Sequence, residues 1–408
     1  MRKRLALAAA VAAALTPAIG AAQQSYPEVT VSGFGTLAAV RTDNGNGQYA
    51  TSVLQPGGAR DSWDVRPDSL IAGQLNARFT RTLSFVGQAV ANRNADDDFM
   101  PHAEWAFLRW QATPEFALRG GILAVPVFML SDSRLVGLSF PWVRPPTALY
   151  SQAPITNFRG VDIVYRHALG NGAITVQPYA GKAPTEVPGT NGPTVLAHLD
   201  RVLGINVVGQ LDDWTVRAGY FRSRFTYHSG TTDALFAGLL GVAPLIPGAA
   251  DLADQLDAVD KALSFTSVGV AYDGANAFFQ AEYGQRRTGF FLADTNAWYA
   301  TIGYRFGNLT PHLTYSKVDV KSATSQAVLP PVGPLAPLAA GVDSLLAGQN
   351  TAQRTWAAGL RWQFAPSADL KVQWDRVRLP DGAMGSFKGT PGFADTVNVY
   401  SAGVDFVF

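Results

Sequence analysis

The sequence predicts an all-β protein, a transmembrane antiparallel up-and-down β-barrel of sixteen strands with a long third loop folded into the pore. Three observations predict it. Apolar residues recur with a period of two, short turn-forming links alternate strictly with long ones, and no uninterrupted apolar run is long enough for a spanning helix.

The period is plain in Thr355–Phe364, TWAAGLRWQF. Trp356, Ala358, Leu360, Trp362 and Phe364 share one face, while Thr355, Arg361 and Gln363 fall on the other. In Asn296–Phe306, Trp298, Ala300, Ile302, Tyr304 and Phe306 alternate with Tyr299, Thr301, Gly303 and Arg305. In the last stretch Tyr400, Ala402, Val404, Phe406 and Phe408 oppose Ser401, Gly403 and Asp405. In chain order the first eight such segments are Val29–Val40, Ser69–Thr80, Leu83–Asn92, His102–Gln111, Phe116–Leu123, Arg159–Ala168, Ala173–Gly181 and Arg201–Gln210. The next eight are Trp214–Tyr227, Ala262–Tyr272, Ala277–Arg287, Asn296–Phe306, Leu309–Val320, Ala352–Phe364, Asp369–Arg378 and Thr396–Phe408.

Short links carry turn residues, such as Gly170, Asn171 and Gly172, or Asp212 and Asp213. The long links are Arg41–Asp68, Asn94–Pro101, Ala124–Phe158, Lys182–Asp200, His228–Lys261, Thr288–Thr295, Lys321–Thr351 and Leu379–Asp395. Every second connection therefore lies on one side, as in an up-and-down meander. In lipid an open edge leaves N–H and C=O groups unpaired, so the sheet must close. Closure requires Thr396–Phe408 to pair with Val29–Val40, with Phe408 in an interfacial aromatic girdle.

Composition supports export and excludes several classes. Residues 1–22 read as a signal peptide, with basic Arg2, Lys3 and Arg4, an apolar run from Leu5 to Leu15, and small Gly20 and Ala22, leaving residues 23–408 as the barrel domain. There is no cysteine, so no disulfide holds the fold. Removing the three signal cations from 32 Lys+Arg leaves 29 against 31 Asp+Glu, which does not mark a nucleic-acid partner. Arg, Gln and Asn recur on the polar face of strand after strand, which a dry core of a soluble sandwich would not bear.

A barrel of this size leaves an aqueous channel. The phase of each strand turns Arg78, Arg109, Arg119, Arg166, Arg217, Arg286, Arg305, Arg361 and Lys371 toward the lumen. Fewer acids share that face: Asp162, Glu282, Asp375 and Asp405. Other acids gather in loops, as at Asp96–Asp98 and Asp251–Asp260. Such a lumen favours anions, although basic residues near barrel rims also serve as interfacial anchors. The third long link, AVPVFMLSDSRLVGLSFPWVRPPTALYSQAPITNF, mixes apolar anchors (Phe128, Met129, Leu130, Phe140, Trp142) with Asp132, Arg134 and Arg144. Folded inward, it would pack the apolar residues on the wall and hold Arg134 and Arg144 toward the passage, opposite Asp132. An external cap or a subunit contact is the alternative.

A first strand VTVSGFGTL, Val29–Leu37, together with the signal, the strand count, the inserted third loop and the terminal Phe, resembles the trimeric outer-membrane porins of Gram-negative bacteria. PWVRPPTALYSQAPITNFRGVDIVYR, Pro141–Arg166, is similar to porin-like proteins related to anion-selective phosphate porins. The resemblance implies an outer-membrane location among lipid and lipopolysaccharide, three associated barrels, and a third loop narrowing the pore around Asp132, Arg134 and Arg144. The dense arginine ladder and lysine cluster of a dedicated phosphate channel are not found.

Two further links contain APLIPGAADLADQLDAV and PLAPLAAGVDSLLAG, each with a short amphipathic helix; Leu252, Leu256 and Val259 share a face in the first. They read as helices packed on other loops, or as a cover gripping an apolar solute. No HExxH, nucleophile elbow or cysteine metal site occurs. The expectation is a passive channel for small hydrophilic solutes and ions with a modest anion preference, with no cofactor and no catalytic or metal-binding residue. A non-selective diffusion channel stands beside it, and a barrel enzyme or adhesin represents the other class.

Overall fold

A computed structural model describes residues 26–189, 194–380 and 382–408. The expected signal peptide, residues 1–22, lies outside the described residues. The first strands are β1 (Glu28–Thr42), β2 (Gln48–Tyr49), β3 (Leu70–Arg78), β4 (Leu83–Asn92), β5 (His102–Gln111) and β6 (Phe116–Ala124). A short helix α1 (Thr147–Tyr150) precedes β7 (Asn157–Leu169), β8 (Gly172–Val187), β9 (Val195–Leu211) and β10 (Trp214–Thr226). Helices α2 (Gly230–Val242) and α3 (Ala249–Leu256) lead to β11 (Lys261–Asp273), β12 (Ala277–Thr288), β13 (Thr295–Tyr304) and β14 (Leu309–Val320). Helix α4 (Ala336–Ala347) is followed by β15 (Gln353–Ala365), β16 (Ala368–Arg378), β17 (Phe387–Lys388) and β18 (Thr396–Val407).

β2 and β17 pair with each other as a small sheet between two long loops, and Tyr49 of β2 also bridges Ala59. The other sixteen strands form one closed barrel in which each strand is antiparallel to its sequence neighbours and β18 closes on β1. The seam runs from Phe34↔Val407 to Thr42↔Val399. It ends with reciprocal bonds, Gly33 N to Phe408 O at 2.8 Å and Phe408 N to Gly33 O at 2.9 Å. Tight turns use left-handed residues where two-residue hairpins need them, Gly170 at φ 55° and Asp212 at φ 49°.

All sixteen expected strands are present. The largest difference lies in the β8–β9 hairpin, where much of the expected Lys182–Asp200 link is strand. After a bulge between Gly181 and Ala183, pairing resumes at Ala183↔Leu199 and continues to Val187↔Val195. Main-chain ladders extend past the apolar belt because water tolerates any side chain there, so the period of two no longer reports the strand.

The two faces of the wall are inverted relative to a soluble barrel. Ile302 is 58% exposed while its neighbour Thr301 is 0% exposed. Val31, Leu37, Val216, Trp356 and Tyr400 are likewise exposed, whereas Asp162, Glu282, Lys371 and Asp405 are buried. A continuous apolar exterior over a polar interior is what a closed sheet in a bilayer requires.

Both expected loop helices exist, as α3 and α4. α3 buries Leu252 and Leu256, but Val259 lies beyond its end and is exposed, because Asp257 turns extended at ψ 140°. α2 was not expected: DALFAGLLGV is apolar on all sides and shows no helical stripe. It begins at a capping box formed by Ser229 and Thr232. Leu239, Leu252, Leu256, Val342 and Leu346 join the three helices in one apolar cluster.

Candidate functional site

Residues 125–156 join β6 to β7 and include a 3-10 turn at Gly137–Ser139 and helix α1. Pro126, Pro141, Pro145 and Pro146 keep this stretch from continuing a ladder. Phe128, Phe140, Trp142, Leu149 and Tyr150 are buried in one cluster with wall residues Phe265 and Tyr299. Trp142 meets Tyr299 edge to face at 5.9 Å, and Phe128 meets Phe265 at 5.4 Å.

The loop's polar backbone is satisfied by side chains from the polar face of successive strands. On β10, Arg217 Nη1 donates to Val127 O at 2.6 Å and Nη2 to Pro126 O. On β12, Glu282 accepts from Met129 N at 3.0 Å and from the hydroxyls of Tyr150 and Tyr299, each at 3.3 Å. Arg286 donates to Gln152 O at 3.2 Å and to Ala293 O at 2.9 Å. Thr295 on β13 donates to Gln152 Oε1 at 2.7 Å. Thr314 on β14 accepts from Trp142 Nε1 at 2.9 Å. Arg361 on β15 donates to Leu138 O at 3.0 Å and pairs with Asp369. On β16, Lys371 Nζ reaches Gly137 O at 2.6 Å and Asp405 at 2.8 Å, and Gln373 accepts from Val143 N at 3.1 Å.

Small wall residues make this fit possible. A Cβ on Gly269 would lie 2.6 Å from Met129 Sδ, and one on Gly284 would lie 2.7 Å from Leu149 Cδ1. On the loop itself, a Cβ on Gly137 would collide with Asp405.

The three loop residues singled out by sequence fall in different settings. Arg144 is buried and held by Asp68 at 2.6 Å, Asp375 at 3.6 Å and Ser401 at 2.6 Å. Its guanidinium also lies over the Tyr49 ring at 5.4 Å. Burial alone would lower the Arg144 pKa, but the charges of Asp68, Tyr49 and Asp375 hold it above the ordinary arginine value. Arg144 thus braces the loop instead of standing free in the passage. Arg134 is half-buried and Asp132 is exposed; neither has a side-chain hydrogen bond or ion pair among the described residues.

The wall residues divide similarly. Arg217, Arg286, Arg361 and Lys371 are tied to loop carbonyls, as above. Arg119 Nε bonds Asp162 Oδ1 at 2.8 Å, and Gln177 donates to the same carboxylate at 2.8 Å. Among the described residues Arg109, directly across from Arg119, donates to Gln111 alone, at 2.6 and 3.1 Å. At the turn end, Arg78 faces Glu28 at 3.5 Å, Arg166 donates to Gln210 at 3.4 Å, and Arg305 bonds Gly274 O at 2.9 Å and pairs with Asp273.

Sequence reasoning missed Asp68, Asp369, Gln152, Gln373, Tyr150 and Tyr299. Asp369 shares the period-two phase of Lys371, Gln373 and Asp375 and was legible on that ground; Asp68 sits in a loop and carried no signal. Among the described residues no group of His, Cys, Asp or Glu is placed to hold a metal ion.

No family model and no curated protein matches the chain. Solved structures do. An anion-selective porin from Comamonas acidovorans superposes with TM-score 0.55 at 12% identity, covering 94% of this chain and 100% of that one. OmpF of Salmonella typhi, in complex with daunomycin, gives TM-score 0.54 at 14% identity over 94% and 98%. The trimer form of OmpT, an outer membrane protein of Vibrio cholerae, gives TM-score 0.54 at 12% identity over 94% and 100%. At these identities the likeness is one of fold, and the fold of this chain is the closed sixteen-stranded barrel of the Gram-negative outer-membrane porins.

Proposed function

We propose that the protein is a passive outer-membrane porin, conducting small hydrophilic solutes and ions with a modest preference for anions, and that residues 125–156 lie within the lumen and narrow it. The observation that carries this reading is the ring of polar-face side chains, from Arg217 on β10 to Ser401 on β18, that all bind the same loop. A segment reached from so many strands by the face opposite the apolar belt belongs inside the cylinder. The pairing pattern limits the charge left for selectivity. Asp162, Asp369, Asp405 and Asp68 each neutralise a cation, while among the described residues Arg134 has no side-chain bond and Arg109 and Arg166 bond glutamine side chains alone, so these three are left to draw anions, with Asp132 opposing them. This is why the preference is modest. The anion-selective neighbour from Comamonas supports the sign.

On this reading the chain is not an enzyme. Homotrimers fit the exterior of β3–β5, where Gly73, Gly87, Ala89, Ala103 and Ala106 leave an apolar groove of about 420 Å³, room for another wall; one structural neighbour is a trimer form. The test is reconstitution in planar bilayers under a salt gradient. Stepwise conductance with a reversal potential displaced toward the anion is expected; closed barrels without conductance would sink the porin reading and leave an enzyme or adhesin.

A further inference from the structure

The register of β4 and β5 slips once. Gln88 lies across from Trp105, but Ala89 lies across from Ala103, which leaves Glu104 as a bulge residue without a partner on β4. In unbroken alternation with the inward Arg109, Glu104 would take the lipid face, where a carboxylate is costly. The bulge turns it inward, where it is 3% exposed. Its Oε2 accepts from Thr156 Oγ1 at 3.0 Å and from Asn157 Nδ2 at 3.1 Å, at the junction of the third loop with β7. Its Oε1 accepts no hydrogen bond among the described residues.

We infer that Glu104 is a specificity-determining residue of the pore, holding Arg134 back from solutes at neutral pH, and that His102 releases Arg134 in acid by taking Glu104 for itself. Glu104 is the carboxylate whose charge acts on Arg134; the other group that does so is the Tyr150 phenol, uncharged below about pH 9. Asp132, two residues away, acts with Arg119, Arg217 and Asp162 instead. With no side-chain hydrogen bond among the described residues, the Arg134 guanidinium is free to swing between the passage and Glu104 Oε1.

His102 opens β5 at the mouth, with its side chain 43% exposed and Nε2 3.6 Å from Glu104 Oε2. A neutral imidazole at that distance makes no hydrogen bond. Once protonated it is a charged donor, and a charge-assisted bond draws it onto the carboxylate. The other groups facing His102 are the Met100 carbonyl before β5 and Glu186 at the end of β8, neither of them a cation that would oppose the change. Imidazole is the side chain that gains its charge between about pH 8 and 5. Glu104, nearly enclosed, acts on solutes through Arg134 and not by its own charge. Its capture by His102 therefore adds one guanidinium to the passage and leaves the bonds from Thr156 and Asn157 in place.

The inference rests on the porin reading above, and its readout is the change of selectivity with pH, not the selectivity itself. Reversal potentials of the full-length barrel under a salt gradient are measured at about pH 8 and about pH 5. The anion-to-cation permeability ratio of wild type is expected to rise several-fold in acid, the weight of one charge at contact distance in water. His102→Gln is expected to keep the lower ratio at both pH values. Glu104→Gln, whose amide oxygen still accepts from Thr156 and Asn157, is expected to show the raised ratio at both, and Arg134→Ala to lose most of the rise. Single-channel conductance steps and heat resistance on gels report folding; should Glu104→Gln misfold, His102→Gln and Arg134→Ala decide. Equal ratios at the two pH values in wild type, or a rise that persists in His102→Gln or Glu104→Gln, would overturn the inference. A cation-preferring pore that still shows the His102-dependent rise would refute the sign proposed for the channel and support this relay.

Discussion

Arg144 Nη2 lies 2.6 Å from Asp68 Oδ2 with both side chains 7% exposed, so the loop after β6 is locked by a buried ion pair to the loop before β3. Asp375 from β16 approaches the same guanidinium at 3.6 Å. Arg144→Ala would leave two buried carboxylates without their cation, a change that costs about 3–5 kcal/mol when one partner of a buried pair is removed. The barrel ladder does not depend on this pair. The expected outcome is a folded barrel whose third loop is released, seen as larger and noisier single-channel currents with near-unchanged heat resistance on gels. Arg144→Lys is expected to rescue only partly, because an ammonium cannot bridge Asp68, Asp375 and Ser401 together.

The second lock is Lys371, which joins Gly137 O and Asp405 at 2.6 and 2.8 Å with its ammonium over the Phe140 ring at 4.7 Å. Lys371→Met strands the buried Asp405 carboxylate and frees the turn at Gly137. A loss of about 3–5 kcal/mol is expected for the single change. Adding Asp405→Asn removes the stranded charge, so the double variant is expected to be more stable than Lys371→Met alone. Thermal unfolding of the detergent-solubilised barrel measures this cycle; additive losses would mean the two residues do not act as a pair.

These locks explain how much could be read before the fold was known. The strands were legible because lipid outside and polar groups inside impose a period of two on every crossing, as Trp356 and Thr355 or Ile302 and Thr301 illustrate. The apolar anchors Phe128, Phe140 and Trp142 were legible because a loop in water has no use for them. What the period reports, however, is only which face a side chain takes. It gave Arg217, Arg286, Arg361 and Lys371 an inward phase, but not their partners, which are backbone carbonyls of a segment far away in sequence. Arg144 and Asp68 meet through two loops, neither of which has a period at all.

Arg134 is the loop cation without a bond to the wall, so the selectivity proposal concentrates on it. Arg134→Ala is expected to lower the anion-to-cation permeability ratio several-fold, in line with about 1 kcal/mol for a charge at contact distance in water. Arg134→Glu is expected to move the reversal potential past neutrality toward cations. Conductance steps should keep their stability in both, since no loop contact is lost. Unchanged reversal potentials would shift the role to Arg109 on β5.

The side sheet of β2 and β17 supplies a pH dependence. Tyr49 is buried at 3% exposure, stacks edge to face on Phe387 at 5.4 Å, and lies under Arg144 with its hydroxyl 3.5 Å from Thr147. Burial pushes its pKa from 10.0 up to about 12, with Arg144 acting against the rise. Between those values the folded protein holds a proton that an undocked loop would release, so docking weakens as pH rises through this window and is unaffected below it. Loosening of the third loop is therefore expected above pH 10, where the undocked phenol ionises, visible as growing current noise or as new protease cuts near Thr147. Tyr49→Phe keeps the ring on Phe387 and removes the proton, so this alkaline component is expected to vanish in that variant. If wild type and Tyr49→Phe loosen at the same pH, the coupling between the side sheet and the loop runs through another group.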